Sequence, residues 1–136
     1  MIKYRILFLL LISGLIYSCE KDSYDVTDSD VMVIGSWIKP NYNNDNTTVL
    51  ERSNKLRSND YGIEFMSDGS LVERKNSSFC GTPPITYADY NGTWSINGSI
   101  IQITVDYWGG QSEYEWEIVS IGYKKIKIKR LREELL

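Results

Sequence analysis

Over most of the chain, apolar and polar residues alternate with the two-residue period of a half-buried β-strand. Tyr61, Ile63 and Phe65 alternate with Gly62 and Glu64. Ser67-Asp68-Gly69-Ser70 then supplies a turn, because Asp bonds its own backbone and Gly accepts positive φ. Leu71 to Lys75 returns as the paired strand. Further on, Tyr90, Gly92, Trp94 and Ile96 share one face, and Ile101, Ile103 and Val105 share one face of the strand that follows. Asn97-Gly98 between them is a strong signal for a two-residue hairpin turn, which predicts Trp94 opposite Ile101 and Tyr90 opposite Val105. In the last hairpin Tyr114, Trp116 and Ile118 oppose Glu113, Glu115 and Glu117, and Ile126 and Ile128 alternate with Lys125, Lys127 and Lys129. A three-residue loop centred on Gly122 predicts Glu117 opposite Lys127 and Glu115 opposite Lys129, opposite-charge pairs contributing ~0.2–1 kcal/mol each. On that pattern Lys124 to Arg130 is a solvated strand and not a nucleic-acid patch.

The remaining segments are less regular. Val31-Met32-Val33-Ile34 is a short helical turn or the lead into a strand. Gly35-Ser36-Trp37-Ile38-Lys39 reads as the first strand, ending near Pro40. Residues 41–59 are rich in Asn, Ser, Thr and charge and are expected to form a long loop or irregular edge. Residues 76–86 form a second loop, kept out of a central sheet by Pro83 and Pro84. Residues 133–136 are expected to be a frayed tail, with fraying starting at about residue 131. Six or seven strands joined mostly by hairpins, with no interior helix, predict an all-β domain over residues 31–132. Its architecture is a small antiparallel up-and-down β-barrel, a flattened barrel or a sandwich. Closure would remove the unpaired edges that invite aggregation.

The N-terminus follows a different pattern. Lys3 and Arg5 precede an apolar run from Ile6 to Tyr17, broken only by Ser13 and Gly14. A charged start, a short apolar run and a small residue describe a secretory signal peptide over residues 1–18. The run is short of the ~20 apolar residues of a membrane-spanning helix. Leu15-Ile16-Tyr17-Ser18-Cys19 resembles the lipobox of bacterial lipoproteins. The resemblance implies a diacylglycerol on the Cys19 sulfur, cleavage between Ser18 and Cys19, and acylation of the new amine. Two or three acyl chains hold a protein stably where one holds it marginally. Glu20-Lys21-Asp22 is similar to signals that send such lipoproteins to the outer face of the outer membrane. The expected address is therefore export, a lipid anchor in the outer membrane and display at the cell surface. Residues 19–30 comprise the lipidated Cys19 and an acidic tether without periodicity. Asp25, Asp28 and Asp30 in that tether fail the spacing of a calcium loop, so no metal is expected.

Charge and chemistry narrow the function. The net charge of −3 becomes −5 once Lys3 and Arg5 leave with residues 1–18, which disfavours nucleic acid. With Cys19 lipidated, Cys80 has no partner within the chain, and the ordinary expectation for such a thiol is a small buried apolar residue. Without a single histidine, Ser-His-Asp and Cys-His nucleophile pairs and His-ligated zinc sites are excluded. Glu64 and Glu73 are a carboxylate pair of the type used in glycoside hydrolysis, but paired strands place such residues outward or at uncertain positions as structural charge. Neither a catalytic residue nor a cofactor is expected, and the chain is read as a non-enzyme.

Gly35-Ser36-Trp37 on the first strand is similar to the Gly-x-Trp that opens lipocalins. Phe65-x-x-Asp68-Gly69-x-Leu71 and Gly92-Thr93-Trp94-x-Ile96 are similar to a family of small bacterial lipocalin-like lipoproteins, over roughly residues 33–130. The resemblance implies a lipocalin-like barrel in which an Arg near the C-terminus, Arg130 or Arg132, packs over Trp37. Two functions then compete. In the first, the barrel is a binding module for a small apolar ligand lined by Trp37, Phe65, Trp94, Tyr114 and Trp116; the plain alternative is that these rings fill a packed core. In the second, the domain meets a surface protein or glycan through its loops. Tyr107 and Trp108 at a hairpin tip and Phe79 and Cys80 in the proline-stiffened loop would carry the contact, unless Trp108 folds over the barrel mouth as a lid.

Overall fold

The computed structural model describes residues 29–136 with the exception of Phe79. The expected signal peptide, Cys19, residues 20–28 of the tether and the Phe79 side chain lie outside the described residues. A short helix, α1 (Ser29–Val33), precedes eight strands: β1 (Gly35–Tyr42), β2 (Thr47–Ser53), β3 (Gly62–Phe65), β4 (Ser70–Asn76), β5 (Tyr87–Asn97), β6 (Ile100–Tyr107), β7 (Gly110–Ile121) and β8 (Lys125–Leu135). They form a closed antiparallel up-and-down barrel in the order β1-β2-β8-β7-β6-β5-β4-β3. β3 to β8 are one continuous meander. The β1–β2 hairpin closes it, with β1 against β3 and β2 against β8. The β2–β3 connection must therefore pass across β1. Leu56 of that connection and Ile38 of β1 both close over Gly62, and Ile38 is buried on the face of β1 opposite Trp37.

Three expected boundaries move. β1 does not stop near Pro40 but continues to Tyr42 through a bulge between Ile38 and Asn41, where Lys39 takes φ 53°. A bulge is the place in a sheet where proline, which lacks an N–H, is tolerated. The expected loop at 41–59 contains an entire strand, β2. Thr48, Leu50 and Arg52 of β2 share its inward face, so only one of three inward residues is apolar and the alternation is invisible in the sequence. The C-terminus does not fray either. β8 runs to Leu135, which pairs with Ser112, and the Leu136 amide donates to the Gln111 carbonyl at 2.8 Å. The side chains there are exposed, and the backbone ladder to the long β7 holds the segment.

Two hairpin registers also shift. The β5–β6 turn residues are Gly98 and Ser99, so Asn97 pairs with Ile100, Ile96 with Ile101 and Trp94 with Ile103. Gly98, with φ 61°, sits at the first central position of the turn, the place where a Gly-X loop puts its glycine. The shift is by two residues and leaves every side chain on its expected face. In the β7–β8 hairpin the loop is Gly122 to Lys124 and two irregularities interrupt the ladder, so Glu117 faces Lys129 and Glu115 faces Arg132. These two pairs still join opposite charges, in a different register, while Glu113 faces Glu134 further along.

The ladders define two ends. Gly35, Phe65, Ser70, Ile100 and Ile126 mark one end, and α1 sits there. Val33 is wholly buried, and its carbonyl accepts the Trp37 indole N–H at 2.8 Å. The other end carries the turns at 43–46 and 108–109, the loop at 77–86 and the chain terminus. The core of Val33, Trp37, Leu50, Ile63, Phe65, Leu71, Ile101, Ile103, Val105, Tyr114, Trp116, Ile126 and Ile128 fills the barrel from the helix-closed end.

Candidate functional site

Followed from the closed end to the open one, the inward side of several strands changes from apolar to polar. β8 presents Ile126, Ile128 and then Arg130; β4 presents Leu71, Glu73 and Lys75; β7 presents Trp116, Tyr114 and Ser112. At the open end a cleft of ≈ 630 Å³ lies between the β1–β2 hairpin and the upper half of β8. Tyr61, Leu50, Trp116 and Ile128 line its inner part, and Tyr42, Asn46, Arg130 and Glu133 are among its rim residues. That volume lies within the ~300–1,000 Å³ of small-molecule sites.

Beneath the cleft is a polar cluster that alternation of the sequence did not reveal. Glu73 is buried, not outward. One carboxylate oxygen accepts the Tyr61 hydroxyl at 2.8 Å and the other accepts Lys75 Nζ at 2.7 Å. Lys75 also lies 5.5 Å from the Tyr90 ring centroid. The residue is inward because it is two positions beyond Leu71, and the upper barrel has polar partners for it. Glu64 lies on the other face of β3, so the two acids do not form a catalytic pair.

Burial, then the Glu73 carboxylate, raise the Tyr61 hydroxyl well above its ordinary value of 10.0. Tyr114 is raised in the same way, by burial first and Glu73 second, although no hydrogen bond of good geometry joins its hydroxyl to that carboxylate. A folded-state pKa above the unfolded one gives stability that is full below the unfolded value and is lost progressively as pH rises from the unfolded value through the folded one. The urea midpoint is therefore expected to hold up to about pH 9 and to fall above about pH 10, as phenols in the unfolded chain ionise. Tyr61→Phe should lessen that alkaline fall. A midpoint constant to about pH 11 in the native protein would contradict the assignment.

The rings expected to line a cavity divide into two groups. Trp37 and Phe65 are core residues with no surface to offer, and Trp94 packs edge-on to Phe65 at 5.2 Å between centroids while its N–H donates to the Met66 carbonyl at 2.9 Å. Trp116, 6.2 Å from Phe65, stands at the top of this aromatic group, and of these four rings it alone reaches the cleft. Tyr114 is buried beside it at 5.7 Å. Among the described residues, the Trp116 indole N–H and the Tyr114 hydroxyl are buried polar atoms without a hydrogen-bond partner.

The arginine over Trp37 comes from β2. Arg52 lies 4.2 Å from the Trp37 ring, and its guanidinium donates to the carbonyls of Met32, Ile34 (2.8 Å) and Tyr123 (2.9 Å). Arg130 and Arg132, expected in that role, are at the opposite end because β8 climbs away from Trp37. Arg130 instead lies 5.5 Å from the Tyr114 ring and pairs with Glu133 at 2.9 Å.

The loop residues gather at the open end. Trp108 caps the β6–β7 hairpin with its ring edge-on to Tyr107 at 5.6 Å, and 54% of it is exposed, so it does not close the mouth as a lid. Cys80 is exposed and not buried as expected, since the 77–86 loop stands off the barrel. Thr82, 3.2 Å from its sulfur, holds the thiol below its ordinary value by hydrogen bonding.

A family model described as a lipocalin-like domain matches residues 33–128, well over half of the chain. The chain belongs to the lipocalin-like domain family. Its match begins at the buried Val33 that plugs the barrel and ends at Ile128, below Arg130. Lipocalin-like domains are typically non-catalytic binding proteins. No curated protein and no solved structure matches the chain significantly.

Proposed function

We propose that this lipocalin-like protein is a membrane-anchored lipoprotein of the outer membrane or cell surface, whose barrel is a non-catalytic binding module for a small molecule. The observation that carries the binding role is the ≈ 630 Å³ cleft at the open end, floored by Tyr61 and Trp116 above a solid core. The expected mode of binding changes with this geometry. The helix-closed half of the barrel is filled, so the ligand sits at the mouth and not among Trp37, Phe65 and Trp94. The anchor rests on the lipobox-like Leu15 to Cys19. α1 lies at the closed end of the barrel, opposite the mouth.

Two measurements test this. The full chain expressed in a Gram-negative host should incorporate labelled palmitate and fractionate with the outer membrane, and Cys19→Ser should abolish both. Native mass spectrometry of the exported protein should detect a bound small molecule or reveal saturable binding of one from a metabolite extract. A soluble, unlabelled product would overturn the anchor, and no adduct from any extract would overturn the binding role. The alternative is a surface protein- or glycan-interaction module. It is favoured by the exposed Trp108 and the Cys80 loop lying at the same end, and predicts that Trp108→Ala abolishes capture of a partner while leaving small-molecule binding intact.

A further inference from the structure

The cleft is lined by three cationic residues, Lys129, Arg130 and Arg132, and one acid, Glu133. Arg130 and Trp116 are direct cross-strand partners on β8 and β7, so their side chains share the inward face, and both line the cleft. Arg130 stacks near Tyr114, and both the Trp116 N–H and the Tyr114 hydroxyl are buried without partners. Leaving such donors unpaired costs about 1–3 kcal/mol each, so an acceptor that reaches them gains affinity. The nearby acceptor, Glu73, already accepts from Tyr61 and Lys75 and acts on the Tyr114 hydroxyl, which leaves the Trp116 N–H as the donor for a ligand. Glu133, the other acid at the rim, already sits on Arg130 at 2.9 Å, and that exposed pair, about half accessible on both sides, is readily exchanged.

We propose that the cleft takes a compact organic acid whose carboxylate displaces Glu133 from Arg130 and accepts from the Trp116 indole N–H. This rests on the binding role given above and names its ligand class. The acid is compact because Phe65 and the core beneath Trp116 close the floor, leaving no channel for a long acyl chain. A carboxylate is the matching group because it only accepts hydrogen bonds and pairs with a guanidinium in two-point fashion.

The test uses two matched pairs on the mature protein: phenylacetate against phenylacetamide, and gluconate against gluconamide. The readout is the Trp116 indole N–H resonance, assigned through Trp116→Phe. At least one acid should shift that resonance saturably, with its neutral amide binding about tenfold or more weakly. Arg130→Met should weaken the acid by a similar factor, and Glu133→Gln should tighten it by removing the internal competitor. Acid and amide binding equally at Trp116 would overturn the carboxylate assignment while leaving the binding role intact. Adducts from metabolite extracts that leave the Trp116 resonance unmoved by all four probes would also overturn it. Absence of any ligand, from probes and extracts alike, would remove both.

Discussion

Gly92→Ala is expected to destabilise the barrel by about 3 kcal/mol or more, a large part of a small domain's stability. A Cβ built on Gly92 would fall on the Thr104 carbonyl oxygen and lie 2.9 Å from both Cα and Cβ of Val105. Val105 is the register partner of Gly92 and is itself completely buried. The obstacle is therefore backbone of a paired strand, which cannot move aside as the end of a flexible side chain would. φ at Gly92 is not positive, so the requirement is for space and not for an unusual backbone conformation. This explains the glycine in Gly92-Thr93-Trp94: it lets β5 and β6 approach closely at that point. Urea denaturation of Gly92→Ala beside Gly98→Ala separates the two roles. Gly98 has open space around the same position but φ 61°, so its substitution should cost only about 1 kcal/mol of backbone strain. Equal losses at the two sites would mean that crowding at Gly92 is relieved by a small strand shift.

Arg52→Met is the second large effect, with an expected loss of about 3 kcal/mol. The guanidinium joins three parts of the closed end: α1 through Met32 and Ile34, the β7–β8 loop through Tyr123, and Trp37 through its ring face. Hydrogen bonds from a charged donor contribute about 1.5–3 kcal/mol, and a cation over an indole about 0.5–2 kcal/mol, but these are not additive. Methionine retains most of the apolar stem and loses all of the polar contacts. Arg52→Lys should recover little, because an ammonium cannot donate in three directions while lying flat on the ring. The measurements are the urea midpoint and the fluorescence of Trp37, whose N–H bond to Val33 depends on α1 staying in place. A stability within about 0.5 kcal/mol of the parent would show that burial of Val33 and Trp37 alone seals this end.

Alternation was a reliable guide wherever inward residues are apolar. β3, β4, β5, β6, β7 and the first half of β8 were legible for that reason, as was their closure into an antiparallel barrel. It failed where the barrel interior is polar. β2 reads as loop because its inward residues are Thr48, Leu50 and Arg52, and Glu73 reads as surface because nothing local distinguishes a buried acid from an exposed one. The cleft arises from the same polar half, so it was missed together with Tyr61, Arg130 and Glu133. The one ring of the five expected in a pocket that does reach the cleft, Trp116, differs from Trp37 and Phe65 in its height along the barrel axis.

Several properties follow from this sequence alone: the strand pattern, the turn at Asp68-Gly69, the two faces of each hairpin and a fold of the lipocalin-like kind. All of these depend on residues within about one hairpin of each other, where period and turn chemistry act directly. What only the tertiary structure decided are relations between distant segments. It placed β1 between β2 and β3, set Arg52 rather than a C-terminal arginine over Trp37, and buried Glu73 between Tyr61 and Lys75. It also left one end of the barrel filled and the other open. The physical reason is that hairpin geometry is local, whereas the height of each inward side chain in a closed barrel depends on the registers of all eight ladders together.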